Sequence, residues 1–176
     1  SLTDSAKLPY SPTLLPGVEK ACYRLSDAIN NQEIIGIFGD FDVDGITGAA
    51  LLTQGLQQLG ASVVPYIPHR VTEGHGLSTS AIESLRSQRV SVLVTVDCGV
   101  TSIPEVILAQ ESGLDVIITD HHVPTQTLPP AHSIINPKLP DNQYPFQDLC
   151  GAGVAFKLIQ GLYNLLGRKW TNDLLE

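Results

Sequence analysis

Four short, unbroken apolar runs recur along the chain, IIGIF at 34–38, SVVPYI at 62–67, VSVLVTV at 90–96 and DVIIT at 115–119, with helix-patterned segments between them. Runs this short and this rich in Val and Ile suit strands buried on both faces. Strands that alternate with helices imply a mostly parallel sheet flanked by helices on both faces, so the fold class predicted is α/β. A helix over 17–31 is expected to cover the sheet, since Val18, Ala21, Cys22, Leu25, Ala28 and Ile29 share a face. Further helices are expected over 46–60, where Ile46, Ala49, Leu52, Leu56 and Leu59 follow helical spacing, and near 78–87, 103–112 and 151–166. Residues 1–16 are polar and Pro-rich and read as an extended lead-in to a single domain over 17–176. Residues 121–150 are again Pro-rich, with SIIN the one short strand expected there.

The chain has 176 residues, 43% of them hydrophobic, which is enough for one globular core. No apolar run reaches the roughly 18 residues of a membrane span, and the N-terminus lacks the layout of a signal peptide, so a cytoplasmic protein is expected. Cys22, Cys98 and Cys150 fit no CxxC spacing and read as reduced thiols. A net charge of −8 argues against a domain that holds nucleic acid by its overall field. Acidic residues gathered at one point could still hold cations and reverse the local sign.

In open parallel sheets, ligands bind beyond the carboxyl ends of the strands. Three of the predicted strand ends are acidic: Asp40, Asp42 and Asp44 in GDFDVDG, Asp97 in VTVDCG, and Asp120 with His121 and His122 in ITDHH. Carboxylates brought that close raise one another's pKa values unless a cation sits between them. Asp mixed with His favours Mn2+, with Mg2+ as second choice. Read as extended, Asp42-x-Asp44 puts both carboxylates on one side, able to serve two ions about 3.5–4 Å apart. Structural readings compete. An Asp after a strand serves equally as the N-cap of the next helix, and His121-His122 could be a turn before Pro124. An EF-hand is excluded because Leu51 stands where its bidentate Glu would fall.

DFDVDG, HRVTEGHG, VDCG, TDHH, INPK and CGAGVAFKL, in that order, resemble the RecJ branch of the DHH phosphoesterase superfamily across essentially the whole chain. The resemblance implies that Asp42, Asp44, Asp97 and His121 ligate metal, with Asp97 bridging two ions in the complete enzyme. It implies Asp40 as an additional ligand or an acceptor behind the ligands, His122 facing the scissile phosphate, and Arg70 as a phosphate contact. Gly74 and Gly76 would permit a tight backbone, while Glu73 either holds that loop or touches substrate. Asn136 either lines the site or forms an Asx turn before Pro137. No role is assigned to His75, His69, His132 or Lys157.

The implied activity is metal-dependent hydrolysis of single-stranded DNA from its 5′ end, in repair and recombination, with a single-strand-binding protein as a possible partner. The family's further metal-binding Asp has no counterpart in context, since Asp173 lies in the TNDLLE tail. A second substrate-binding domain is also missing, so the chain is expected to be a fragment, inactive or weak alone. The alternatives are a DHH phosphodiesterase acting on short oligoribonucleotides or cyclic dinucleotides, and a non-catalytic replication scaffold. A pyrophosphatase of the superfamily is disfavoured by Phe38, where that branch carries a His.

Overall fold

The computed structural model describes residues 10–71, 73–140 and 142–169. Strands β1 (Ile34–Gly39), β2 (Ser62–Tyr66), β3 (Val90–Val96), β4 (Asp115–Thr119) and β5 (Ser133–Ile135) form one sheet in the order β2-β1-β3-β4-β5. Every neighbouring pair is parallel. Helices α1 (Val18–Asn30), α2 (Val43–Gln58) and α5 (Gly151–Leu165) cover one face, and α3 (Thr79–Ser87) with α4 (Ile103–Glu111) cover the other.

Alternation within the strands serves both layers. Ile35, Ile37, Val92, Val94 and Val96 pack towards α1, α2 and α5, while Phe38 and Leu93 pack towards α3 and α4. The edge strand β2 carries Pro65, whose missing N–H is tolerated at an edge. Among the described residues no helix is long and apolar enough to cross a membrane.

Two expectations are corrected. Within the expected lead-in, Pro12–Leu14 forms a 3-10 turn rather than an extended segment, because Pro12 and Leu15 bury beneath α5 and α1; residues 1–9 lie outside the described residues. The segment after β1 is not extended either. Helix α2 begins at Val43, with the Asp42 carboxylate capping it by accepting from Gly45 N at 2.9 Å. Asp42 and Asp44 therefore do not lie side by side: one caps its own helix and the other sits in that helix's first turn.

Strand order reverses between β1 and β3, which makes the crevice outside their carboxyl ends the expected binding position. Asp40 follows β1 and Asp97 follows β3, so both flank that crevice.

Candidate metal centre

The ladder of the sheet runs one residue past the strands, and three acids occupy that extra rung. Asp40 N donates to Val96 O at 3.1 Å, Asp97 N to Thr119 O at 2.9 Å and Asp120 N to Ile135 O at 3.1 Å. Their carboxylates are thus placed at the rim by sheet register rather than by loop conformation. All three residues are buried.

Asp97 is the most constrained of them. It is 2% exposed and takes a left-handed backbone with φ of 62°, a costly conformation for a residue with a Cβ. Its Oδ1 is buried without a hydrogen-bond donor. The Nε2 of His121 lies 3.1 Å from that oxygen but is not aligned to donate to it. Burial, reinforced by the charges of Asp44 and Asp42, raises the Asp97 carboxyl to about 7. A buried carboxylate oxygen without a donor, 3.1 Å from an imidazole nitrogen, is an arrangement that suits two ligands of one cation. Ligand atoms of Asp97, His121 and His122 all lie within 4.8 Å of one another.

Asp44 adjoins this group, its Oδ2 standing 3.9 Å from His121 Nε2. The same carboxylate accepts from Gly151 N at 2.5 Å and Ala152 N at 2.8 Å at the start of α5. Burial pushes its pKa upward, but the Ala152 and Gly151 amides, the Cys150 thiol and His121 outweigh burial and hold it below the usual carboxylate value. Asp42 is exposed at the α2 cap and acts on Asp97 only through its charge. Asp40 accepts from Phe41 N at 2.8 Å and faces His75 Nδ1 at 3.5 Å.

Asp120 organises the histidine pair. Its Oδ1 accepts from the backbone N–H groups of His121 at 2.7 Å and His122 at 3.1 Å and lies 2.7 Å from His122 Nδ1, while Oδ2 accepts from Val100 N at 2.9 Å. Facing a carboxylate, Nδ1 carries the proton, which leaves Nε2 for the opposite side of the ring. Burial lowers the His122 pKa, but the Asp120 hydrogen bond and charge more than offset this and raise it. Asn136 steadies the pair from behind: Nδ2 donates to His122 O at 2.9 Å and Oδ1 accepts from Lys138 N at 2.8 Å, an Asx turn.

A cavity of about 300 Å³ opens beside these groups, with Asp40, Asp97, Asp120, His122, His75 and Ser102 among its lining residues. Arg70 stands further out, its guanidinium 5.4 Å from the Phe41 ring centroid, and Phe41 in turn packs on His75 at 4.2 Å. Glu73 holds the intervening loop by accepting from Tyr66 O–H at 2.6 Å and His69 N at 2.9 Å. Gly74 and Gly76 take φ of +75° and +77°, which only glycine adopts cheaply.

A family model described as the DHH family, N-terminal domain, matches residues 34–176. The chain belongs to the DHH family. It is 44% identical over 153 residues to the single-stranded-DNA-specific exonuclease RecJ of Bacillus subtilis (strain 168), covering 87% of this chain and 20% of that protein. Against RecJ of Escherichia coli (strain K12) identity is 42% over 153 residues, covering 86% of this chain and 26% of that protein. A crystal structure of exonuclease RecJ bound to manganese matches with a TM-score of 0.84 at 37% identity, over 94% of this chain and 42% of that one. The resemblance seen in the motifs therefore holds, for a stretch under half the length of these relatives.

In this DHH domain the rim gathers Asp97, His121, His122 and Asp44 closely, sets Asp40 on the cavity wall, and leaves Asp42 and Arg70 outside the closest group. The family resemblance gave no role to Asp120, His75 or the α5 amides, although Asp120 was among the strand-end acids expected to gather at the rim. Asp120 stood in view within TDHH. The α5 amides carry no side-chain signal, because the groups that act there belong to the backbone. Asp173 lies outside the described residues.

Proposed function

We propose that this chain carries the metal-binding half of a phosphodiester-hydrolysing site that shortens single-stranded DNA from the 5′ end. The observation that carries the proposal is the buried, donorless Asp97 Oδ1 beside His121 Nε2 at the crest of the sheet. The residues fit a divalent cation, Mn2+ or Mg2+, which Asp97 and His121 would hold with Asp44 beside them, while Asp42, the cap of α2, would have to turn inward to join the set. RecJ relatives of known structure are described with Mn2+ or with Mg2+, which supports this choice. A bound divalent cation there supplies Lewis acidity towards water and phosphoryl oxygen.

The chain's own residues do the rest. Asp120 holds His122 through Nδ1 and favours the imidazolium, whose Nε2 would donate to a phosphate oxygen. Arg70, exposed and braced on Phe41, would grip a neighbouring phosphate. Asp40 stands behind the ligands as an acceptor or a further ligand. The acidic domain offers little basic surface for a strand, so we place the strand-gripping surface elsewhere in a longer polypeptide and expect this part alone to be inactive or feeble. Its partners would be single-stranded DNA and a single-strand-binding protein, in the cytoplasm.

The test is Mn2+-dependent digestion of 5′-labelled single-stranded and duplex DNA by the complete polypeptide and its Asp97→Ala form. Digestion of single strands that disappears in Asp97→Ala is the expected outcome. Intact DNA together with hydrolysis of short oligoribonucleotides or cyclic dinucleotides would replace the exonuclease reading with a small-substrate phosphodiesterase. Loss of neither activity in Asp97→Ala would sink the site itself.

A further inference from the structure

Helices α2 and α5 both begin at the rim and run side by side in the same direction. Gly48 of α2 approaches Ala152 of α5 so closely that a Cβ would stand 3.1 Å from Ala152 Cα, Gly55 meets Ile159, and Tyr163 O–H donates to Gly55 O at 3.1 Å. This close packing fixes where α5 starts relative to Asp44. Two features of that start bear on the metal carboxylates. The N–H groups of Gly151 and Ala152, which no helical carbonyl can satisfy, each hold one oxygen of Asp44. The missing side chain of Gly151 is filled by Asp97: a Cβ there would stand 2.6 Å from Asp97 Cβ and closer still to Oδ1, the buried atom without a donor.

From this geometry we infer that the first turn of α5 positions both Asp44 and Asp97 for the cation, with the Gly151 and Ala152 amides and the Gly151 void as the positioning groups. The inference rests on the metal-binding reading above. Each carboxylate oxygen has two acceptor directions, so an amide on each Asp44 oxygen still leaves one free towards His121. The positive end of α5 also offsets part of the repulsion among the clustered carboxylates. The CGAG segment thereby acquires a role in ligand geometry rather than in helix packing alone.

The decisive experiment is Mn2+ titration of the chain, read by electron paramagnetic resonance or calorimetry, in the wild type, Ala152→Pro, Ala152→Gly, Gly151→Ala and Asp97→Ala. A proline in the first helical turn is tolerated and deletes one amide, whereas Ala152→Gly keeps the amide and weakens only the helix. Ala152→Pro and Gly151→Ala should weaken Mn2+ by about 10-fold or more, on the scale of groups that orient metal ligands, with Ala152→Gly, which keeps the amide, weakening it less than Ala152→Pro. Mn2+ affinity in Ala152→Pro equal to wild type, while Asp97→Ala loses it, would overturn the positioning role and leave the metal site standing. A wild type that binds no Mn2+ would end both. Should the proline unfold the chain, the amide proton shifts of Gly151 and Ala152 during Mg2+ titration of the wild type decide the matter. They should move with the same midpoint as the His121 ring signals, and fixed shifts would overturn the inference.

Discussion

The two ends of the sheet both carry acidic side chains, and they treat them in opposite ways. At the amino ends of the strands, Arg24 lies 2.6 Å from Asp115 through Nε and 2.5 Å from Glu33 through Nη2, so one guanidinium serves two carboxylates from separate segments. At the carboxyl ends, among the described residues, the ion-pair partners of Asp40, Asp44, Asp97 and Asp120 are histidines, with no Lys or Arg. The first arrangement gives each carboxylate a cationic partner and leaves its remaining charge to the solvent that reaches Asp115 and Glu33. The second leaves a buried carboxyl raised to about 7, which a proton neutralises below that pH and which a bound cation would balance above it. Acidic residues alone do not mark the site; unbalanced burial does.

The widest separation between the two ends should appear in their response to pH. Asp97 titrates at about 7 in the fold against 3.8 for the free group, so between these values the folded chain holds a proton that the unfolded chain releases. Metal-free stability should therefore fall as pH rises from about 4 to 7, by on the order of 4 kcal/mol if the whole shift is expressed. Mn2+ should restore it at neutral pH. Thermal melts across that range, with and without the ion, measure the effect, and a metal-free melting temperature that rises with pH would contradict the contrast.

Asp97→Asn is the next largest effect, because it removes the buried charge and keeps the shape. Mn2+ affinity should drop at least 100-fold, about 2.7 kcal/mol, while the metal-free chain becomes more stable at pH 7. Calorimetric titration and denaturant unfolding of the same sample check both halves. A smaller change is expected from Arg24→Ala at the balanced end. Its pairs are partly exposed, so the loss should be about 1–2 kcal/mol in denaturant unfolding, with Mn2+ affinity untouched. A matching drop in metal binding would show that the two ends are coupled through the sheet.

The fold was legible because parallel strands buried on both faces leave an unmistakable mark: IIGIF and VSVLVTV could hardly be anything else. Even β2, with Pro65 inside it, read correctly, since an edge strand can spare an N–H. The turn after β1 was misjudged as extended because Asp42 satisfies a capping rule and a ligand pattern at once, and the cap decides the backbone. The cluster of Asp97 and His121 followed from their strand-end positions. The buried, donorless state of Asp97 Oδ1 did not, because burial depends on Gly151, more than fifty residues away in sequence. Likewise, the link from Asp120 to Val100 N spans two loops whose approach no local pattern announces.

The acids at the rim hang from rungs of the sheet, donating their N–H groups to Val96, Thr119 and Ile135. Neighbouring strands sit about 4.8 Å apart because hydrogen bonds fix that interval. The backbones of Asp40, Asp97 and Asp120 thus inherit a ruler that no surface loop can stretch. Loop replacements around the cavity should change what is admitted while the spacing of those anchors stays put, and the ruler should survive heating for as long as the sheet does.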